Sequence, residues 1–214
     1  MNTVTTVPAK ETIYIVFTAT ALKTGKFIRF FTRGTYNHVS MTFSQELDKF
    51  YSFSRYNIKA PFAGGFVEES ALRYKGNCFA KVCAVPLDSE QYERVMEYLN
   101  NVYEHRNEYV YNFFAAATCT FHKNIKVRKS FTCLEFAVHV LDYCGFPVSE
   151  ADKFTVSNLE KTLNRYTICE GTSNEIFTFN DWSNDDYISP LSTRKKWFGT
   201  LKQFGRLCTR LTMQ

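Results

Sequence analysis

Residues 128–145 read Arg-Lys-Ser-Phe-Thr-Cys-Leu-Glu-Phe-Ala-Val-His-Val-Leu-Asp-Tyr-Cys-Gly, and the reading of this run decides the fold. Ser130 or Thr132 is placed to cap a helix that begins at Cys133. Apolar residues fill the turns up to Tyr143, Gly145 supplies a stop, and Pro147 lies just beyond it. The pattern predicts a helix over 133–143, with Cys133 in its first turn and Cys144 at its end. A thiol in the first turn meets backbone N–H groups that have no carbonyl to bond, and the positive pole of the helix dipole. Both favour the nucleophilic thiolate, and Arg128 and Lys129 push the same way. The same N–H groups suit the oxyanion of a tetrahedral intermediate. Cys144 stands at the opposite pole and serves as the ordinary thiol for comparison. The plainer reading of Cys133 is a small residue buried at a helix start.

A thiol nucleophile needs a base, and the chain holds four histidines. His139 lies six residues along the same helix, about 240° around it, and cannot face Cys133. His105 ends a polar helix, and His122 lies among Lys123 and Lys126, so both read as solvated. His38 sits in Tyr36–Phe43 (YNHVSMTF), an alternating stretch that predicts a strand. Val39, Met41 and Phe43 share one face, and His38, Ser40 and Thr42 share the other. A histidine held on a strand has the fixed geometry a base requires, although a histidine can also simply pair across a sheet.

Further strands are expected at Thr12–Thr18, at Lys49–Arg55 (KFYSFSR) and at Phe79–Leu87, which Pro86 brings to an end. Residues 23–32 and 109–119 read as helices, and Asp88-Ser89 opens another that runs to about His105. Ser157-x-x-Glu160 reads as a capping pattern within a helix over 155–164. Residues 56–65 are turn-rich, Gly64–Glu69 suggests a flexible gate, and residues 174–190 read as irregular. The acid pairs Glu68-Glu69 and Asp185-Asp186 read as solvated surface.

Composition narrows the class. The chain has 214 residues with 45% hydrophobic and 17% aromatic content, enough for one well-filled core. The seven cysteines follow no framework spacing, which argues for reduced thiols, and Cys78 and Cys83 lack the partners of a zinc site. No apolar run is long enough for a membrane span, and residues 1–11 offer no signal-peptide core, so a cytoplasmic location is expected. Arg194, Lys195, Lys196, Lys202, Arg206 and Arg210 fall in residues 190–214 beside no acid. They exceed the net charge of +5 and leave the remainder at −1, so the charge belongs to the tail and no chain-wide nucleic-acid footprint exists. Over 192–212 the tail predicts a basic amphipathic helix with Trp197, Leu201, Phe204, Leu207 or Cys208, and Leu211 on one stripe. That stripe either docks on the domain or meets an anionic membrane or acidic partner.

The order TYNHVSMTF, FYSFSR, SFTCLEFAVHVL resembles the circularly permuted branch of the papain-like NlpC-type cysteine hydrolases, the YiiX-like proteins, and more distantly the lecithin–retinol acyltransferases. In that branch a strand with His-Val comes first and a helix with Cys-x-Glu-Phe comes last. The resemblance spans roughly residues 13–163. It implies an α+β, permuted papain-like fold in which an antiparallel sheet packs on helices and the nucleophile stands at a helix N-terminus. It places the nucleophile on Cys133, the base on His38 and the third polar residue on Ser52. Relatives often carry Glu or His at that third position. The Ser here leaves Glu68, Glu69, Asn57 or a backbone carbonyl as other candidates to orient the ring.

The expected organisation is a flexible tail over 1–11, a hydrolase domain over 12–190 and the basic helix over 191–214. The expected reaction is thioester-forming amidase or peptidase chemistry on a peptide-like or acyl substrate, with no metal or organic cofactor. Acyltransfer or phospholipase chemistry at a membrane surface, and a catalytically silent binding domain, are the alternatives.

Overall fold

The computed structural model describes residues 11–19, 34–60, 63–76, 78–118, 125–180, 187, 189–190 and 192–212. The helix expected over 23–32, Cys119, His122 and the pair Asp185-Asp186 lie outside these residues.

A six-stranded antiparallel sheet organises the chain. Its strands are β1 (Glu11–Ala19), β2 (His38–Thr42), β3 (Lys49–Arg55), β4 (Gly64–Ser70), β5 (Phe79–Leu87) and β8 (Thr167–Thr172), in the order β4-β3-β2-β1-β5-β8. A second, two-stranded parallel pair joins β6 (Val110–Tyr111) to β7 (Ser130–Phe131). The helices are α1 (Ser89–Glu104), α2 (Phe113–Thr118), α3 (Cys133–Tyr143), α4 (Val156–Thr162), α5 (Ser173–Ile176) and α6 (Thr193–Thr212).

β1 is central, and its run of apolar residues has a physical cause: both faces of the sheet are covered. Ile13, Ile15 and Phe17 enter a core shared with Val39, Met41, Phe53 and the inward faces of α1, α3 and α4. Tyr14 and Val16 point the other way, into a smaller core with Phe50, Tyr74, Val82 and Phe177. α3 is fixed to the sheet by Phe136, which is fully buried and lies 4.9 Å from Phe53 between ring centres. Burial of one such ring is worth about 2–3 kcal/mol, so this contact sets how α3 stands over β2 and β3.

Four local readings are corrected. Gly64–Glu69 is not a gate but the first six residues of β4; a Cβ on Gly64 would stand 2.5 Å from the Ser54 carbonyl oxygen, so glycine lets the two strands close together. The segment 109–119 is not one helix: buried Asn112 accepts the Ala115 N–H at 3.0 Å, starting α2 and separating it from β6. Thr155 caps α4 in place of Ser157, taking the Asn158 N–H at 3.1 Å, while Glu160 pairs with buried Lys81. In the tail, Leu207 docks against Val110 and Val127, whereas Leu201, Phe204 and Leu211 of the anticipated stripe are exposed.

Candidate active site

Cys133 is the first residue of α3 and is buried, 7% exposed. Thr132 caps the helix by accepting the Glu135 N–H at 3.1 Å, and Glu135 returns a carboxylate oxygen to the Thr132 N–H at 2.7 Å. This capping box occupies Glu135 N–H and leaves Cys133 and Leu134 with no carbonyl one turn back to receive their N–H groups. These two N–H groups belong to the same first turn that carries the Cys133 sulfur.

The turn before it is held hard. Lys129 adopts a left-handed conformation (φ 50°), uncommon for a residue with a side chain. Its carbonyl accepts N–H groups from Val110 at 3.1 Å and from the Arg210 guanidinium at 3.0 Å. β7 then leads straight into the Thr132 cap, so the position of Cys133 is set from both sides.

His38 opens β2 and is 12% exposed at its side chain. Its Nε2 meets a carboxylate oxygen of Glu69, Oε2, at 3.0 Å. That leaves Nδ1 as the ring nitrogen available to a thiol. Burial works against the charged ring, but the Glu69 carboxylate and the nearby Cys133 sulfur more than offset it and raise His38 to about 10. The ring therefore carries its proton at neutral pH.

Glu69 itself is 2% exposed and heavily committed. Burial opposes its ionisation, yet His38, then Arg73 and Ser54, hold its carboxyl down at about 2. Tyr74 donates its hydroxyl to the same Oε2 at 2.6 Å, and its ring lies against the His38 ring with centres 6.3 Å apart and planes 29° apart. Arg73 reaches Oε1 at 3.5 Å and Ser54 Oγ at 3.1 Å. A buried carboxylate that receives donors on both oxygens stays ionised and stays still.

Ser52 does not orient the ring. Its buried hydroxyl donates to the Val39 carbonyl at 2.9 Å, across the β2–β3 pair. The reason is reach: a serine ends one atom beyond Cβ, whereas Glu69, from the next strand out, has the length to cross β3 and arrive at the imidazole. Of the other candidates, Glu68 faces the opposite side of β4 and pairs with Lys49 at 2.6 Å. Asn57 donates to the Ser189 carbonyl at 3.0 Å and accepts the Lys59 N–H. Reading Glu69 as solvated surface is likewise overturned by its burial.

The other two described histidines sit elsewhere. His105 is exposed at the end of α1 with Nδ1 2.9 Å from the Asn101 carbonyl. His139 packs among Tyr98 and Phe131, and burial lowers its pKa. Tyr36 turns its hydroxyl to Glu170 at 2.7 Å. A shallow groove of about 500 Å³ is lined by α1 residues alone, among them Tyr92, Met96 and Asn100, and includes none of the site residues.

The arrangement brings together a thiol at a helix start, a protonated imidazole, a carboxylate on Nε2 of that ring and the first-turn N–H groups of α3. Strand parity on β4 is the signal that separates Glu69 from Glu68, and it becomes legible only once 64–70 is read as a strand. Comparison with protein-family models, curated proteins and solved structures gives no match.

Proposed function

We propose that this protein is a cysteine-dependent hydrolase, an amidase or peptidase, in which Cys133 is the nucleophile, His38 the general base and acid, and Glu69 the residue that orients His38. The observation that carries the reading is the 3.0 Å contact from His38 Nε2 to the buried Glu69 carboxylate, with the Cys133 sulfur close enough to the same ring to raise its pKa. A carboxylate on Nε2 fixes the tautomer and points Nδ1 at the sulfur. The resemblance to the permuted NlpC-type hydrolases points to the same cysteine and histidine.

The cycle follows from those groups. The Cys133 sulfur attacks the carbonyl carbon of a peptide-like or acyl substrate, and its oxygen becomes an oxyanion beside the Cys133 and Leu134 N–H groups. The bond to the leaving nitrogen or oxygen breaks as His38 delivers its Nδ1 proton to that atom, leaving a thioester on Cys133. Water then attacks the thioester while His38 removes its proton. The acid departs, and the imidazole holds the proton again.

A general acyl donor tests this without knowledge of the natural substrate. Brief exposure to p-nitrophenyl acetate, followed by peptide mass mapping, should find acetyl on Cys133, and Cys133→Ala should abolish the nitrophenolate burst. Acetyl spread evenly over the thiols and lysines, with the burst intact in Cys133→Ala, overturns the assignment.

A further inference from the structure

α6 is fastened to the domain by one side only. Leu207 is fully buried against Val110 and Val127. Arg206 donates to the Asn107 carbonyl at 2.7 Å, and Arg210 donates to the carbonyls of Glu108 at 2.6 Å and Lys129 at 3.0 Å. Phe198 lies nine residues from Leu207, which at about 100° per residue puts it on the opposite side of the helix. The outward side carries Phe198, 72% exposed, and Leu201, 65% exposed, whereas Phe204 and Leu211 lie within about 60° of Leu207 and the Phe204 ring stands 6.0 Å from that of Phe114. Lys202, also exposed, stands beside Phe198 and Leu201.

Such a strip on a fastened helix is unfavourable in water, and three occupants deserve weighing. A second copy of the helix would bring together two segments that each hold six cations and no acid over 190–214, and their charges repel. Cations crowd the base of the helix as well: burial, and then Arg206 and Arg128, lower the pKa of Arg210. An acidic protein groove would satisfy the charge, but two large apolar side chains one turn apart beside Lys202 offer a protein groove little area to bury. An anionic lipid interface satisfies both parts at once. Apolar side chains enter the acyl boundary while the basic groups remain among the headgroups.

We propose that the outward face of α6, centred on Phe198, Leu201 and Lys202, docks the protein on an anionic lipid bilayer. The helix lies in the interface and does not cross it, since no helix among the described residues is long and apolar enough to span a membrane. Its fastening has a consequence for the site. Arg210 grips the Lys129 carbonyl, four residues before Cys133, so a docked α6 holds the turn leading into the nucleophile close to the lipid surface. The docking itself does not depend on the hydrolase reading.

The test is co-sedimentation of the full chain with vesicles of phosphatidylcholine alone and of phosphatidylcholine with phosphatidylserine. The expected result is sedimentation with the anionic vesicles only, weakening as salt screens the contact. Leu201→Glu and Phe198→Glu should each lower that partitioning by about tenfold or more. Both positions are exposed, so the fold tolerates them, which unchanged circular dichroism checks. Acetylation of Cys133 in vesicle-free buffer should be unchanged in both variants, which keeps failure of the docking distinct from failure of the hydrolase. The proposal is overturned by equal binding to neutral vesicles or by binding to neither. It is also overturned by a concentration-dependent dimer that Leu201→Glu abolishes in the absence of lipid binding.

Discussion

The two ends of α3 carry the same side chain in opposite circumstances. At the start, Cys133 stands beside a protonated imidazole and two N–H groups that the capping box does not use. At the end, Cys144 is fully buried, donates its thiol to the Leu141 carbonyl at 3.1 Å, and has its pKa raised by burial. Burial alone does not separate them, because both are buried. The difference lies in what surrounds the sulfur: at one end the His38 cation and the positive pole of the dipole, at the other the Leu141 carbonyl and the negative pole. In the proposed hydrolase, helix polarity selects the reactive thiol and the strands supply its base.

The comparison breaks most sharply if the two thiols are removed in turn. Cys133→Ala is expected to abolish acyl transfer to the protein from p-nitrophenyl acetate. Cys144→Ala should leave the burst within a factor of about two and cost only packing, about 1 kcal/mol for the small cavity left. A burst that survives the first change and not the second would reverse the roles.

Next in size is Glu69→Gln. It keeps the shape of the side chain but removes the charge that holds His38, and should slow thioester formation about 100-fold. Its signature in stability against pH is specific. Glu69 is lowered from 4.5 to about 2, so its contribution is present above pH 4.5 and is lost as pH falls through 2. His38 is raised from 6.5 to about 10, so its contribution is complete below pH 6.5 and is lost as pH rises through 10. The two are one interaction seen from its two partners, and it is complete only between pH 4.5 and 6.5. Thermal unfolding followed from pH 5 to pH 10 should decline for the wild type and be markedly flatter for Glu69→Gln. Parallel curves would mean that the pair does not hold the imidazole.

Tyr74→Phe is milder. The ring stays against His38 while the 2.6 Å hydrogen bond to Glu69 Oε2 is lost, at a cost of about 1.5–3 kcal/mol for a buried charged acceptor. The expected kinetic change is about tenfold, with the alkaline limb of the pH–rate profile moved down as Glu69 becomes less firmly placed. A loss of stability with no movement of that limb would assign Tyr74 to packing alone.

Much of this was legible in the sequence because two of the elements announce themselves. The helix 133–143 carries its own cap and stop, and His38 lies on an alternating strand, so the thiol and the imidazole could each be placed from local pattern. Glu69 could not, since Gly64-Gly65 looks like punctuation and hides the strand whose parity buries it. Those glycines answer a close approach between strands, a tertiary demand that local pattern does not reveal. The tail shows a similar limit. A 3–4 spacing of apolar residues runs through Leu201, Phe204 and Leu211, yet the docked face is set by Leu207 and by carbonyls at 107–108 and 129 that are distant in sequence.

The smallest effects lie in the caps, and they separate stability from chemistry at the two ends of α3. Thr132→Ala removes the acceptor of the Glu135 N–H and should cost about 1 kcal/mol. At the other end, Gly145 holds φ at 76° and closes the helix through N–H bonds from Gly145 to Asp142 and from Phe146 to Leu141, both 2.9 Å. Gly145→Ala makes only an ordinary contact, with the Gln91 side-chain nitrogen at 3.8 Å, so its cost is the strained conformation alone, about 1–2 kcal/mol. Chemical denaturation should therefore report similar losses for the two variants. Their acyl-transfer rates should differ: Thr132→Ala frees an N–H beside the oxyanion position and loosens the start of α3, lowering the burst rate several-fold, whereas Gly145→Ala leaves it unchanged. Equal slowing in both would mean that the rate follows the stability of α3 as a whole, and that the first turn has no special part in holding Cys133.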